Sequence, residues 1–187
     1  MMNMDHAAMN HSSHEHHMAA KPGVYSTSVA VYTIPDVKLV GMNGDEVALR
    51  EVIDSHDPII LNFIFTTCTT ICPVMSATFQ QVQKRLGAKR KNVRMVSISI
   101  DPENDTPAKL KEYASKFSAG PQWKMLTGSL ENSITIQRAF GVFAGDKMNH
   151  KPVTFLKAKD SEQTWVRLDG LVDAPEIIKE FDKLNSR

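Results

Sequence analysis

The densest apolar run in the chain covers residues 59–65, Ile-Ile-Leu-Asn-Phe-Ile-Phe, with Asn62 as its only polar member. It is short, β-branched and aromatic, which predicts a buried strand. Downstream, apolar residues recur at Met75, Phe79, Val82 and Leu86, the spacing of one helix face, and Gly87 supplies a stop. Between strand and helix stand the only two cysteines, Cys68 and Cys72.

The same pattern extends along the chain. Residues 37–40 and 46–49 flank Gly-Met-Asn-Gly, and Asn43-Gly44 predicts a two-residue hairpin turn. Residues 49–53 predict a short helical turn, and Asp57-Pro58 opens the central strand; His56 in that loop is read as exposed. Residues 93–100 predict a second strand, which runs into Asp101-Pro102-Glu103-Asn104-Asp105-Thr106-Pro107. Thr106 is placed to cap the next helix, with Pro107 at its first position and Leu110, Tyr113, Ala114 and Phe117 on its apolar face. Asp101 and Asp105 are read as capping and bracing that loop, at the strand end where open α/β sheets carry their sites. Residues 123–126 predict a strand, 130–140 a helix and 141–149 a loop. Residues 153–156 and 165–168 form a hairpin, and Ile177, Phe181 and Leu184 mark a terminal helix behind Asp173 and Pro175. A hairpin, then βαβα, then a β-hairpin and a helix predict an α/β sandwich, a mixed sheet with helices on both faces.

Length and charge narrow the picture. The 187 residues suit one domain plus a tail, and 42% hydrophobic with 23% charged residues is ordinary for a globular protein. A net charge of +1 gives no reason to expect nucleic acid, and Lys89-Arg90-Lys91 reads as a solvated turn. No apolar stretch approaches a membrane span, and the first twenty residues lack the apolar centre of a signal peptide.

Residues 1–28 are set apart as a tail, and 29–187 as the folded domain. The tail holds Met1, Met2, Met4, Met9 and Met18 interleaved with His6, His11, His14, His16 and His17. With no other large apolar residue in 1–20, it cannot build a core and is expected to be disordered. Thioether and imidazole together suit copper, so the tail is read as metal-binding.

Cys68 and Cys72 sit where the positive end of a helix favours thiolate over thiol. Residues four apart on a helix share a face, so the pair can close a disulfide or grip one soft metal ion. A structural bridge or two inert core thiols are the plainer alternatives, although a bridge closing so short a loop adds little stability.

Four stretches together resemble the Sco/SenC family of copper-handling, thioredoxin-like proteins, over about residues 30–185. Phe63 to Pro73 is similar to its aromatic-rich strand leading into Cys-x-x-x-Cys-Pro. Ser99 to Pro107 is similar to its Asp-Pro-x-x-Asp-Thr-Pro loop. His150 stands five residues before Phe155-Leu156, like the family's His before an aromatic-Leu strand, and the Asn-Gly hairpin matches as well. The resemblance implies a thioredoxin-like fold with an N-terminal β-hairpin. It further implies one copper ion, Cu(I) or Cu(II), held by Cys68, Cys72 and His150. Two thiolates and an imidazole form an S₂N set suited to Cu(I). Family members deliver copper to cytochrome oxidase, or reduce the cysteines of its copper centre or of another chaperone. The expected partner is therefore the copper-site subunit of cytochrome oxidase or another periplasmic copper chaperone. The expected location is the bacterial periplasm, and the expected state a monomer, soluble or tethered through a segment absent from this chain.

The chain also departs from the family. Thr69 and Thr70 stand where Pro-Asp is common, and Lys151-Pro152 follow the histidine in place of Ser or Thr. A proline there permits a cis Lys151–Pro152 bond. These departures suit a second function, a thiol-disulfide oxidoreductase in which Cys68 attacks as a thiolate and Cys72 resolves the mixed disulfide. A peroxidase is disfavoured, because Phe65 occupies the position where that chemistry wants a threonine.

Overall fold

The computed structural model describes residues 24–186, apart from 55, 88–91 and 162. The Met/His tail and the Lys89-Arg90-Lys91 turn lie outside the described residues.

Eight strands form one mixed sheet: β1 (Ser26–Val31), β2 (Lys38–Gly41), β3 (Glu46–Ala48), β4 (Ile59–Ile64), β5 (Arg94–Ser99), β6 (Trp123–Thr127), β7 (Val153–Lys157) and β8 (Thr164–Asp169). Their order across the sheet is β1-β8-β7-β4-β5-β6-β2-β3. β4, β5 and β6 run parallel, and every other pairing is antiparallel. The helices are α1 (Leu49–Ile53), α2 (Ile71–Leu86), α3 (Pro107–Lys116), α4 (Leu130–Ala139) and α5 (Ala174–Asn185).

β4 lies mid-sheet with every residue buried, which accounts for its unbroken apolar run. Strand alternation divides its side chains between two layers. Asn62 faces the layer of α2 and α3. There Ser97 Oγ donates to Asn62 Oδ1 (2.6 Å) and accepts from Trp123 Nε1 (2.9 Å), and Phe79 of α2 packs on Trp123. Phe63 faces the opposite layer, where Phe140, just past α4, meets Phe63, Phe155 and Trp165 edge-on and stacks on Tyr32. Such edge contacts add about 0.5–1.5 kcal/mol each beyond burial.

The capping expectations hold. Thr106 accepts the Lys109 amide with Pro107 at the first helical position, and Asp173 caps α5. The hairpin differs in detail. Its loop has three residues, Met42 to Gly44, because Gly44 N–H bonds Gly41 O and Gly41 N–H bonds Asp45 O. Gly44, at φ 88°, supplies the left-handed turn. Two further elements differ from expectation. β1 straddles the boundary expected at residue 29, and a 3₁₀ turn at Lys147–Asn149 interrupts the loop expected over 141–149.

Candidate metal and redox centre

At the carboxyl end of β4 the chain leaves the sheet through Phe65, Thr66 and Thr67 before entering α2. Cys68 N–H bonds Phe65 O (3.2 Å), which turns the loop back on itself. Pro73 is the third residue of α2, where an N–H would have no partner within the helix. Cys72 is the second residue and is fully buried, while Cys68 keeps 7% of its surface. Both are free thiols.

The two sulfurs have unlike surroundings. Cys68 Sγ lies 3.5 Å from the Cys72 amide, which donates to it from the first turn of α2, and 3.6 Å from the Thr70 hydroxyl. Burial pushes the Cys68 thiol up, but these N–H and O–H donors outweigh it, and the thiol lies below its ordinary value. Burial drives the Cys72 thiol well above its ordinary value, and the neighbouring Cys68 and Asp105 reinforce the rise. Cys68 is thus the sulfur poised as a thiolate and Cys72 the one held as a thiol.

The loop leading into Cys68 is fixed from the connection between β5 and α3. Asp105, fully buried, accepts the Thr66 amide (3.1 and 3.2 Å), the Thr66 hydroxyl (2.5 Å) and the Ser99 hydroxyl (2.6 Å). Burial nevertheless holds its carboxyl above the usual carboxylate range. Asp101 accepts from Asn104 Nδ2 and from Lys147 Nζ (2.6 Å), and that ammonium stands 5.8 Å from the centre of the Phe65 ring. Both aspartates brace loops as expected, and Asp105, at the strand end where a site was expected, reaches across to the cysteine loop. Lys147 had no signal in the sequence beyond its place near His150.

His150 follows the 3₁₀ turn and is 7% exposed. Its ring meets Phe65 edge-on at 6.4 Å, so Phe65 is the shared neighbour of the histidine and the cysteine loop. Nε2 lies 3.0 Å from the Phe63 carbonyl. A carbonyl only accepts, so Nε2 carries the proton. Nδ1 is then an unprotonated lone pair, buried and without a hydrogen-bond partner. Burial also lowers the pKa of the ring, against the Phe63 bond, which keeps it neutral. Among the described residues no three His, Cys, Asp or Glu donors stand together as a ready metal cage. The structure therefore brings His150 and the cysteine pair to one end of the sheet without closing them into a ligand set.

Two expectations are settled nearby. The Lys151–Pro152 bond is trans, and Pro152 O accepts the Gly170 amide (2.9 Å). His56 is exposed, paired with Asp160 at 3.0 Å, and lies at the opposite end of β4.

The model of the SCO1/SenC family matches residues 30–184. The SCO1 protein homolog of Bacillus subtilis is 36% identical over 104 residues, 55% of this chain and 53% of that protein. The chain thus spans about half the length of the first curated relatives it matches. Among solved structures, BsSco, a member of the Sco family of cytochrome c oxidase assembly proteins in which a disulfide switch has been identified, superposes with a TM-score of 0.70 at 28% identity. The match covers 84% of this chain and 95% of that one. ScoI of Arabidopsis thaliana with copper bound gives a TM-score of 0.66 at 25% identity, over 82% and 97% of the two chains. The strand-to-helix cysteine pair and the histidine ahead of β7 both fall inside the matched region, and the chain belongs to the SCO1/SenC family, with its thioredoxin-like fold.

Proposed function

We propose that this protein is an extracytoplasmic copper metallochaperone that carries copper on Cys68, Cys72 and His150. It would pass the ion to the copper-site subunit of cytochrome oxidase or to another copper chaperone. The observation that carries this reading is the state of His150. Its Nε2 proton is committed to Phe63, which leaves a buried, unpartnered Nδ1 as a lone pair available to a soft metal. A Cys68 sulfur already biased towards thiolate supplies the first strong ligand. Copper would then draw the Cys72 proton off, since metal binding lowers a coordinating thiol's pKa. The copper-bound Arabidopsis thaliana ScoI supports the choice of metal. No described helix is long and apolar enough to cross a membrane. The periplasmic location rests on the family resemblance.

The test is a Cu(I) competition titration of the fully reduced protein beside its His150→Ala variant, read by the ultraviolet thiolate-to-Cu(I) absorption that reports the core cysteines alone. One tightly bound ion per core, weakened by at least about tenfold in the variant, is expected. Weak binding indifferent to His150 would sink the three-ligand site.

That outcome would favour a thiol-disulfide oxidoreductase, a reading the split between the two sulfurs supports independently. Cys68 would attack a partner disulfide and expel one of its sulfurs as thiolate. Cys72 would then attack Cys68, releasing the partner's second thiolate and leaving Cys68–Cys72 oxidised.

A further inference from the structure

The cysteine loop and the histidine turn are joined through residues that ligate nothing themselves. Thr66 gives its amide and hydroxyl to Asp105, and the Ser99 hydroxyl donates to the same carboxylate (2.6 Å). That hydroxyl also accepts the Asp101 amide (3.0 Å), and the Asp101 carboxylate accepts Lys147 Nζ (2.6 Å). Lys147 O in turn accepts the His150 amide (3.1 Å). A continuous path of polar contacts thus runs from Thr66, two residues before Cys68, to His150 itself.

Lys147 is the anchor of its segment. Over residues 143–149 every side chain is exposed except that of Lys147, which is partly buried. Met148 N–H donates to Asp146 Oδ1 (2.9 Å) and Asn149 N–H to Asp146 O (3.0 Å), bonds that shape the 3₁₀ turn without attaching it to the sheet. The attachment is the Lys147–Asp101 ion pair, buried on the aspartate side. Its ammonium also stands 5.8 Å from the centre of the Phe65 ring, which meets His150 edge-on. Lys147, Asp101 and His150 line the same groove, of about 510 Å³.

We propose that Lys147 is a positioning residue for the metal site. Its ion pair with Asp101 fixes the 3₁₀ turn, and with it His150, against the cysteine loop. It thereby sets whether copper is held by three donors or by the two sulfurs alone. This rests on the copper-carrying reading of the core. Lys147 touches no metal and acts through the His150 backbone. Groups that only orient a ligand change metal affinity by about 10–100-fold when they are removed.

Lys147→Met alone would strand the buried Asp101 carboxylate, so both charges are removed together in Asp101→Asn/Lys147→Met, which leaves Asn104 Nδ2 its acceptor. Lys147→Arg keeps the charge. Lys147→Gln, which keeps a donor without the charge, is read beside them in case the double variant fails to fold. Each full-length protein is reduced and given substoichiometric Cu(I), with the thiolate-to-Cu(I) absorption reporting that the ion sits on the cysteines. Affinity is read by competition with bicinchoninate, coordination by copper K-edge absorption and stability by urea unfolding. The unaltered protein and Lys147→Arg are expected to hold three-coordinate Cu(I) with equal affinity. The double variant is expected to unfold at a similar urea midpoint, yet to hold two-coordinate Cu(I) at least about tenfold more weakly, and Lys147→Gln to shift the same way. Three-coordinate Cu(I) of unchanged affinity in these two variants would overturn the positioning role while leaving the core site standing. Two-coordinate Cu(I), or no thiolate-to-Cu(I) absorption, in the unaltered protein would overturn the three-ligand core as well.

Discussion

Asp105 takes both the amide and the hydroxyl of Thr66, two residues ahead of Cys68, on a single buried carboxylate. The cysteine loop is therefore held by a residue from the strand-to-helix connection beyond β5. Asp105→Asn keeps one acceptor oxygen for three donors, and the variant should lose about 1–3 kcal/mol of stability in urea unfolding. The pH dependence has a definite sign. The folded carboxyl is raised, so its contribution is complete below the ordinary value of about 3.9 and is lost as pH rises through the folded value. The wild-type margin over Asp105→Asn should be widest in acid, at and below about pH 4, and narrow as pH rises through the folded value. A margin that grew with pH would contradict burial as the controlling cause.

The two thiols should titrate apart. With Cys68 lowered and Cys72 raised, iodoacetamide should label Cys68 at a lower pH than an ordinary thiol and leave Cys72 unmodified well beyond it. Peptide mass spectrometry across pH 5–10 checks this. Thr70→Val removes the hydroxyl beside Cys68 Sγ and should shift its profile upward. Coincident profiles for the two cysteines would refute the asymmetry.

Ser97 of β5 ties β4 to β6, because its hydroxyl serves Asn62 and Trp123 at once. Ser97→Ala orphans two buried polar groups and should cost about 1–3 kcal/mol for each. The denaturant midpoint should fall while the copper endpoint at the core stays unchanged, since this network lies beneath the sheet end rather than at it.

Oxidation should close the site to copper. Once Cys68 and Cys72 are disulfide-bonded, the core thiolate-to-Cu(I) absorption should vanish, and it should return on reduction with dithiothreitol. Core binding that survived oxidation would rule the sulfurs out as ligands.

The local parts of this molecule were legible in the sequence. The buried strand β4, the helix behind Cys72 and the Thr106-Pro107 cap each depend on neighbouring residues alone. β1 was not legible. Its residues Ser26–Val31 are mostly exposed, with Val29 and Val31 facing outward, and its strand partner among the described residues is β8, far along the chain. The hairpin loop was read one residue short because Asn-Gly can serve a three-residue loop as well as a two-residue one. At the site, the cysteine pair announced itself by spacing. The Asp105–Thr66 and Lys147–Asp101 contacts join loops whose approach only the sheet order creates.

That sheet order also governs when the site can exist during synthesis. Phe63 and His150 are 87 positions apart, and they meet only after β7 has inserted antiparallel beside β4. A chain emerging in order has its cysteines long before its histidine. Until β7 docks, the core would offer a metal ion only two sulfurs. An ion captured with all three donors would bind the finished fold in preference to the unfinished one and so stabilise it by mass action. Occupancy of that kind would report that the sheet has closed, and cargo would be accepted last, by molecules already complete.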